Sequence, residues 1–236
     1  MGFDVTSLEA FLIAFKIKRP TDVLTLGRQG IHRPYQTCKF LCEKHGFTMS
    51  ENAMDSYCEK LLLDLGATKV DSIDNSSYEG ATFVHDLNNK IPINLPKYDF
   101  IYDGGTTEHI FNVAQVYDNI FDMLNIGGIL CSVTPNNNQS GHGFYQFSPE
   151  MYLRICAHKY GMEIIDIWVA KVDSQMEAWE RILPTEQFPN GRNDFKFEGS
   201  DMTYNIVIAR KISNERKRLT IDHPQQFSYE QLEWKR

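Results

Sequence analysis

Residues 98–112, YDFIYDGGTTEHIFN, and residues 123–130, MLNIGGIL, read together as strand, turn, helix and strand. Tyr98 to Tyr102 is an apolar run that stops at Asp103-Gly104-Gly105. Ile110, Val113, Val116, Tyr117, Ile120, Met123 and Leu124 then recur at helical spacing, which predicts a helix over 107–126 that stops before Gly127-Gly128. GILCSVTP (128–135) is the next strand, closed by Pro135. Strands joined this closely through a helix pair in parallel.

The same alternation extends in both directions. TSLEAFLIAFKI (6–17) predicts a helix capped by Thr6 with Glu9 three residues on. DVLTLG (22–27) is a strand, and RPYQTCKFLCEKHG (33–46) a helix with Pro34 in its first turn and Gly46 as its stop. AMDSYCEKLLLDLGA (53–67) predicts a helix, and KVDSID (69–74) and ATFVHDL (81–87) are short strands. SPEMYLRICAHKYG (148–161) predicts a helix capped by Ser148, and MEIIDIWVA (162–170) and TYNIVIARK (203–211) complete the strands. The expected architecture is a single α/β domain over 1–212, with an insertion over 173–201 and a polar tail over 213–236.

Composition narrows the function classes. The chain has 236 residues, enough for one sizeable core, and its formal charge of −7 argues against a nucleic-acid binder. No apolar run is long enough for a membrane span, and the first residues lack the marks of a signal peptide. Met1-Gly2 with Thr6 fits myristoylation spacing, but the pattern is too short to carry weight. Five cysteines without paired short spacings argue against both a disulfide framework and a zinc site, so buried thiols and a cytoplasmic setting are expected. The ERKR run (215–218) reads as a solvated charge cluster.

Ligands of open α/β sheets sit at the carboxyl ends of the strands. Those ends hold Gly27, Arg28, Gln29 and Gly30 after the first strand, Asp74 after the second and Asp86 after the third. Asp103-Gly104-Gly105 follows the fourth, and PNNNQSGHGFYQFS (135–148) the fifth. A glycine turn lets a ligand lie against backbone, Asp74 can accept two ribose hydroxyls, and Asp86 can accept from an exocyclic amine. GRQGIHRP lacks G-x-G-x-x-G, so a dinucleotide pyrophosphate is poorly served while a nucleoside without phosphates is not.

On these motifs the chain resembles the class I S-adenosylmethionine-dependent methyltransferases over about residues 20–170, with 203–211 similar to their antiparallel last strand. The resemblance implies a Rossmann-like, seven-stranded, mostly parallel sheet with helices on both faces, and S-adenosylmethionine as cofactor. It implies cofactor contacts from Gly27, Arg28, Gln29, Asp74, Asp86, Leu87, Asp103 and Gly104. The glycine motif is thinner than the family's. A looser similarity points to methyltransferases of polysaccharide and glycan biosynthesis.

Methyl transfer to a hydroxyl needs positioning and a proton acceptor. His142, between two glycines in the loop after the fifth strand, and His109, beside the fourth, are the candidate catalytic residues. Asn137, Tyr145 and Gln146 are candidate acceptor contacts, with Asn136, Asn138, Gln139 and Phe144 beside them, a mixture suited to a sugar. Asp103 and Glu108 alone are too few carboxylates to propose a metal, so none is expected. The expected partner is a small-molecule acceptor, with no nucleic acid or membrane. The alternatives are an NAD(P)-dependent oxidoreductase and a non-catalytic cofactor-binding protein.

Overall fold

The computed structural model describes residues 2–19, 22–182, 197 and 199–215. Its first elements are β1 (Gly2–Phe3) and α1 (Val5–Ile17). Asp4, not Thr6, caps α1: its side chain accepts from Ser7 N, and Ser7 Oγ accepts from Asp4 N, each at 2.8 Å. Thr6, in the first turn, and Glu9, in the second, lie inside the helix and are buried. There follow β2 (Asp22–Leu26), β3 (Gly30–Ile31), α2 (Tyr35–Lys44), α3 (Glu59–Asp64), β4 (Lys69–Asp74), β5 (Phe83–Val84) and β6 (Tyr98–Gly104). A 3₁₀ turn (Thr107–His109) leads to α4 (Val113–Met123) and β7 (Leu124–Asn137). Then come α5 (Pro149–Tyr152), continued as a π-helix over Leu153–Lys159, β8 (Glu163–Lys171), β9 (Glu180–Arg181) and β10 (Thr203–Arg210).

The main sheet has the order β5-β4-β2-β6-β7-β10-β8-β9, and β1 pairs separately with β3. Strands β5 through β7 pair in parallel, while β10 is antiparallel to both β7 and β8. This is the expected Rossmann-like sheet with an antiparallel last strand. It has eight strands rather than seven, because residues 180–181, expected in an insertion, pair with the edge of β8. The other residues of that insertion over 183–196, and the tail from 216 on, lie outside the described residues.

Three expected elements are shorter. The helix over 107–126 begins only at Val113, capped by Asn112, because the Thr106 and Thr107 N–H groups turn back onto the Asp103 carboxylate. The helix over 53–67 shrinks to α3, since Ser56 and Cys58 bond through their backbone to Ile31 and Gln29 instead. The strand over 81–87 pairs only at Phe83–Val84. By contrast β7 runs longer than the expected 128–135.

Alternate residues of a strand face opposite sides. Phe100 and Tyr102 therefore meet α1 and α2 on one face, while Ile101 meets α4 and α5 on the other. Phe3 stacks on Tyr102 at 4.8 Å between ring centroids, and Phe11 meets Tyr102 edge-on at 5.4 Å. Each such buried ring stabilises the fold by about 1.5–3 kcal/mol. All five cysteines are buried and free, as expected. Among the described residues no helix is long and apolar enough to cross a membrane.

Glu9 joins the α1 face to α2. Its carboxylate meets Lys44 Nζ at 2.7 Å and His45 Nε2 at 2.8 Å, and accepts from Met176 N at 2.9 Å. Burial alone would raise its pKa, but these bonds outweigh burial and hold it below the usual 4.5. The contribution is therefore complete above pH 4.5 and lost as the pH falls through the lower folded value. Glu9→Gln is expected to lose about 2 kcal/mol at pH 7. The difference from the parent should shrink in acid, which urea unfolding at two pH values would show; a constant difference would contradict it.

Candidate active site

After β2 the chain moves outward to β4 and β5, then returns to β6 on the other side of β2. The order switches between β2 and β6, the place where an open sheet presents a crevice at its carboxyl end. Its floor is built by short bonds. Thr106 Oγ1 and Gln29 Nε2 both donate to Leu26 O, each at 2.6 Å. Gly27 lies above them with φ +66°, and a Cβ there would stand 3.0 Å from Thr106 Oγ1 and 3.6 Å from Asp74 Oδ2. The Gln29 Oε1 atom is buried and receives no hydrogen bond among the described residues. A Cβ on Gly104 would stand 2.6 Å from that oxygen, so only glycine leaves it room.

Asp103 is wholly buried beneath this crevice. It accepts from Thr106 N at 3.0 Å, Thr107 N at 3.3 Å, and the hydroxyls of Thr107 and Ser132, each at 2.8 Å. Burial pushes its carboxyl above the usual range, although these bonds pull it back. Asp103 thus fixes the turn that carries Thr106, Thr107 and Glu108.

Beside β4 a cavity of about 320 Å³ is lined by Ile73, Asp74, Asn75, His85, Asp86, Leu87, Asn88, Thr106, His109 and Ile110. Asp74 accepts one 3.3 Å bond from Ser76 N at Oδ1. Asp86 is more occupied: it accepts from Asn88 N at 2.9 Å, Asn88 Nδ2 at 2.7 Å and Asn89 Nδ2 at 3.1 Å. The Asn88 bonds hold its carboxyl below the usual range. Leu87 contributes an apolar wall.

On the other side of the β6 turn a second cavity, of about 140 Å³, is lined by residues that include Gly2, Asp4, Ser7, Gly104, Glu108, His142 and Tyr204. Glu108 is fully buried, and neither carboxylate oxygen receives a hydrogen bond among the described residues. Its Oε1 lies 3.4 Å from His142 Nε2 and 3.7 Å from His109 Nε2. Burial, reinforced by Asp103, pushes the Glu108 carboxyl up to about 8. Burial, then the His142 ring, lowers His109. The two rings stand 5.0 Å apart.

The His142 loop is docked on Glu108 itself. Phe144 N and Tyr145 N donate to Glu108 O at 2.8 and 3.3 Å, and Gly143 lets the backbones approach. The structure thus brings His109 and His142 together around an acid that the sequence reading set aside. The expectation of no metal counts carboxylates; two imidazoles stand beside one of them, Glu108.

The remaining predicted residues divide clearly. Arg28 binds Glu59 Oε1 at 2.7 Å and Glu79 O at 2.6 Å, and lies over the Tyr57 ring, so its guanidinium braces the wall of the crevice. Gly30 pairs with Gly2 and serves the β1–β3 ladder. Tyr145 donates to Phe111 O and Gln146 accepts from Gln139 N, so both shape the loop. Asn136 bonds Phe147 O and Asn205, and Asn138 bonds Gly199 O and Asp201 O. Asn137 is exposed at the end of β7, and Phe144 is exposed on the loop. Thr106, Asp4 and Tyr204, which the sequence reading does not single out, also line these cavities; only the threonine, next to the glycine pair, has a local signal.

No protein-family model matches the chain, and no curated protein matches it in sequence. Several solved structures are similar. TehB from Haemophilus influenzae is 16% identical with a TM-score of 0.47, over 86% of this chain and 62% of TehB. The chain thus spans less than two thirds of TehB's length. N-methyltransferase NodS from Bradyrhizobium japonicum WM9, in complex with S-adenosyl-l-homocysteine, is 10% identical with a TM-score of 0.45, over 88% of this chain and 86% of NodS. The O-methyltransferase from a trans-AT PKS multienzyme of Brevibacillus brevis, also in complex with S-adenosyl-L-homocysteine, is 15% identical with a TM-score of 0.46, over 86% and 71%.

Proposed function

We propose that this chain is an S-adenosylmethionine-dependent methyltransferase acting on a hydroxyl of a small polar acceptor, with a sugar as the favoured class. The crevice between β2 and β6 carries this reading, with an acid at the end of β4 and an unfilled buried acceptor, Gln29 Oε1, at its floor. Asp74 would hold the ribose, and Leu87 and Asp86 would flank the adenine. Gln29 Oε1 would accept from the cofactor's ammonium group, with Gly27 and Gly104 leaving space for its backbone-like part. When bound, the cofactor supplies an electrophilic methyl group on sulfur.

The acceptor would enter the cavity of about 140 Å³, whose polar lining of Asp4, Ser7, His142 and Tyr204 supports a hydroxylated compound. Its proton would be taken up where Glu108, His109 and His142 meet. A dinucleotide oxidoreductase is disfavoured by the turn after β2. That turn runs into β3 rather than a helix, and α2 begins behind Pro34, which has no N–H to offer a pyrophosphate.

Thermal unfolding with S-adenosylmethionine, S-adenosylhomocysteine, NAD and NADP tests the reading. A ligand at a hundred times its dissociation constant adds about 2.7 kcal/mol, which in a chain of this size raises the midpoint by roughly 5–10 °C. The expected result is a shift with the two adenosyl ligands alone, reduced in Asp74→Ala. A shift with a nicotinamide nucleotide alone would overturn the proposal. A shift without methyl release on any acceptor would favour a non-catalytic binding protein.

A further inference from the structure

We infer that Glu108, His109 and His142 bind a divalent first-row transition-metal ion at the mouth of the acceptor cavity. One ligand atom from each of the three residues lies within 4.8 Å of the other two. Oε1 of Glu108 stands 3.4 Å from one Nε2 and 3.7 Å from the other. Bonds of about 2.0–2.1 Å at tetrahedral angles place neighbouring ligand atoms about 3.4 Å apart, which the two Glu108 edges already match, and the imidazole pair closes from at most 4.8 Å.

The second observation is the carboxylate itself. Glu108 is fully buried, and neither oxygen accepts a hydrogen bond among the described residues. A buried carboxyl without donors either stays neutral or is balanced by a cation, and the two imidazoles that converge on it supply the further ligands a cation needs. Both imidazoles present Nε2 to Oε1 beyond good hydrogen-bond range, a spacing that suits a shared ion better than direct pairing. Both rings keep exposed edges, so an ion can enter from solvent.

Two imidazoles and one carboxylate select zinc, cobalt, iron or manganese over magnesium and calcium, which prefer all-oxygen sites. Three protein ligands leave positions open, as in catalytic rather than structural sites. His142 and Glu108 also line the cavity of about 140 Å³, so an acceptor oxygen could occupy an open position. Coordination would then lower the pKa of a bound hydroxyl. That use of the ion rests on the transferase reading above; the site itself does not.

The test is a cobalt(II) titration of the full, tag-free chain, followed by visible absorption, with zinc as competitor. The expected result is one cobalt per chain, displaced by zinc. Since even outer partners of metal ligands alter affinity about 10- to 100-fold, Glu108→Gln and His142→Ala should weaken binding at least as much. Glu108→Gln keeps the shape of the side chain, and the adenosyl-ligand thermal shift is measured in both variants to show that each is folded. Absence of stoichiometric cobalt, or equal binding in parent and variants, would overturn the inference. An adenosyl shift without cobalt binding would remove the metal and leave the transferase reading standing; cobalt binding without the shift would do the reverse.

Discussion

Asp103→Ala is expected to lose about 4 kcal/mol of stability and, with it, the thermal response to S-adenosylmethionine. The carboxylate is wholly buried and collects four donors: two backbone N–H groups and two hydroxyls. Alanine leaves all four without that acceptor, three of them on the fully buried Thr107 and Ser132. Each buried donor left unmade costs about 1–3 kcal/mol, and water entering the vacated volume recovers only part. In a chain of this size the midpoint should fall by roughly 10 °C. The ligand response goes because Thr106, held by Asp103, is what ties the β6 turn to Leu26 O across the crevice. Asp103→Asn keeps one carbonyl oxygen and should lose about half as much. Unfolding in urea decides it: both variants within about 1 kcal/mol of the parent would mean that the turn is held by other contacts.

That dependence explains how much of this protein can be read from its sequence. Seven of the eight strands of the main sheet were legible because each is a short apolar run with its own stop, and a parallel sheet follows from their alternation with helices; the two-residue strands β1, β3 and β9 carry no such run. Asp74 and Leu87 stand at or just after strand ends, which mark themselves in the sequence, and both line the cavity beside β4. Helix starts were less legible where two caps compete. Asp4 with Ser7 and Thr6 with Glu9 both fit a capping spacing, and burial of Thr6 and Glu9 against residues 171–176 decided for Asp4. The start of α4 was misread because nothing local tells that Asp103 will take the next N–H groups out of the helix. What the Arg28 guanidinium touches is less legible for a related reason: its partners, Glu59 and Glu79, come from elsewhere in the chain. The meeting of Glu108 with His142 was the least legible feature. It depends on a loop from after β7 docking on the turn after β6, and the glycine that permits it has no signature distinct from other loop glycines.

That glycine supplies the sharpest functional prediction. Gly143→Ala is expected to lower turnover by about 100-fold while leaving the fold and the adenosyl-ligand shift nearly intact. A Cβ at residue 143 would stand 2.8 Å from Glu108 O, 3.0 Å from Glu108 Cγ and 3.1 Å from Glu108 C. Two of these are backbone atoms of a turn pinned by Asp103, so the loop must move rather than Glu108. Its anchors are the bonds from Phe144 N and Tyr145 N to Glu108 O, directly after His142. Displacing them by even an ångström carries the His142 imidazole off Glu108, and misplacements of that size cost about 100-fold in rate. Cobalt binding should weaken in the same variant, since one ligand has moved. Gly141→Ala is the control: a Cβ there meets nothing within 4 Å, and only its φ of +82° is unfavourable. It should cost about 1 kcal/mol of stability and leave turnover largely unchanged. The comparison is read as kcat and KM on an acceptor that the parent methylates. Equal turnover in Gly143→Ala and the parent would separate His142 from the chemistry, because no other contact in the loop places that ring so directly against Glu108.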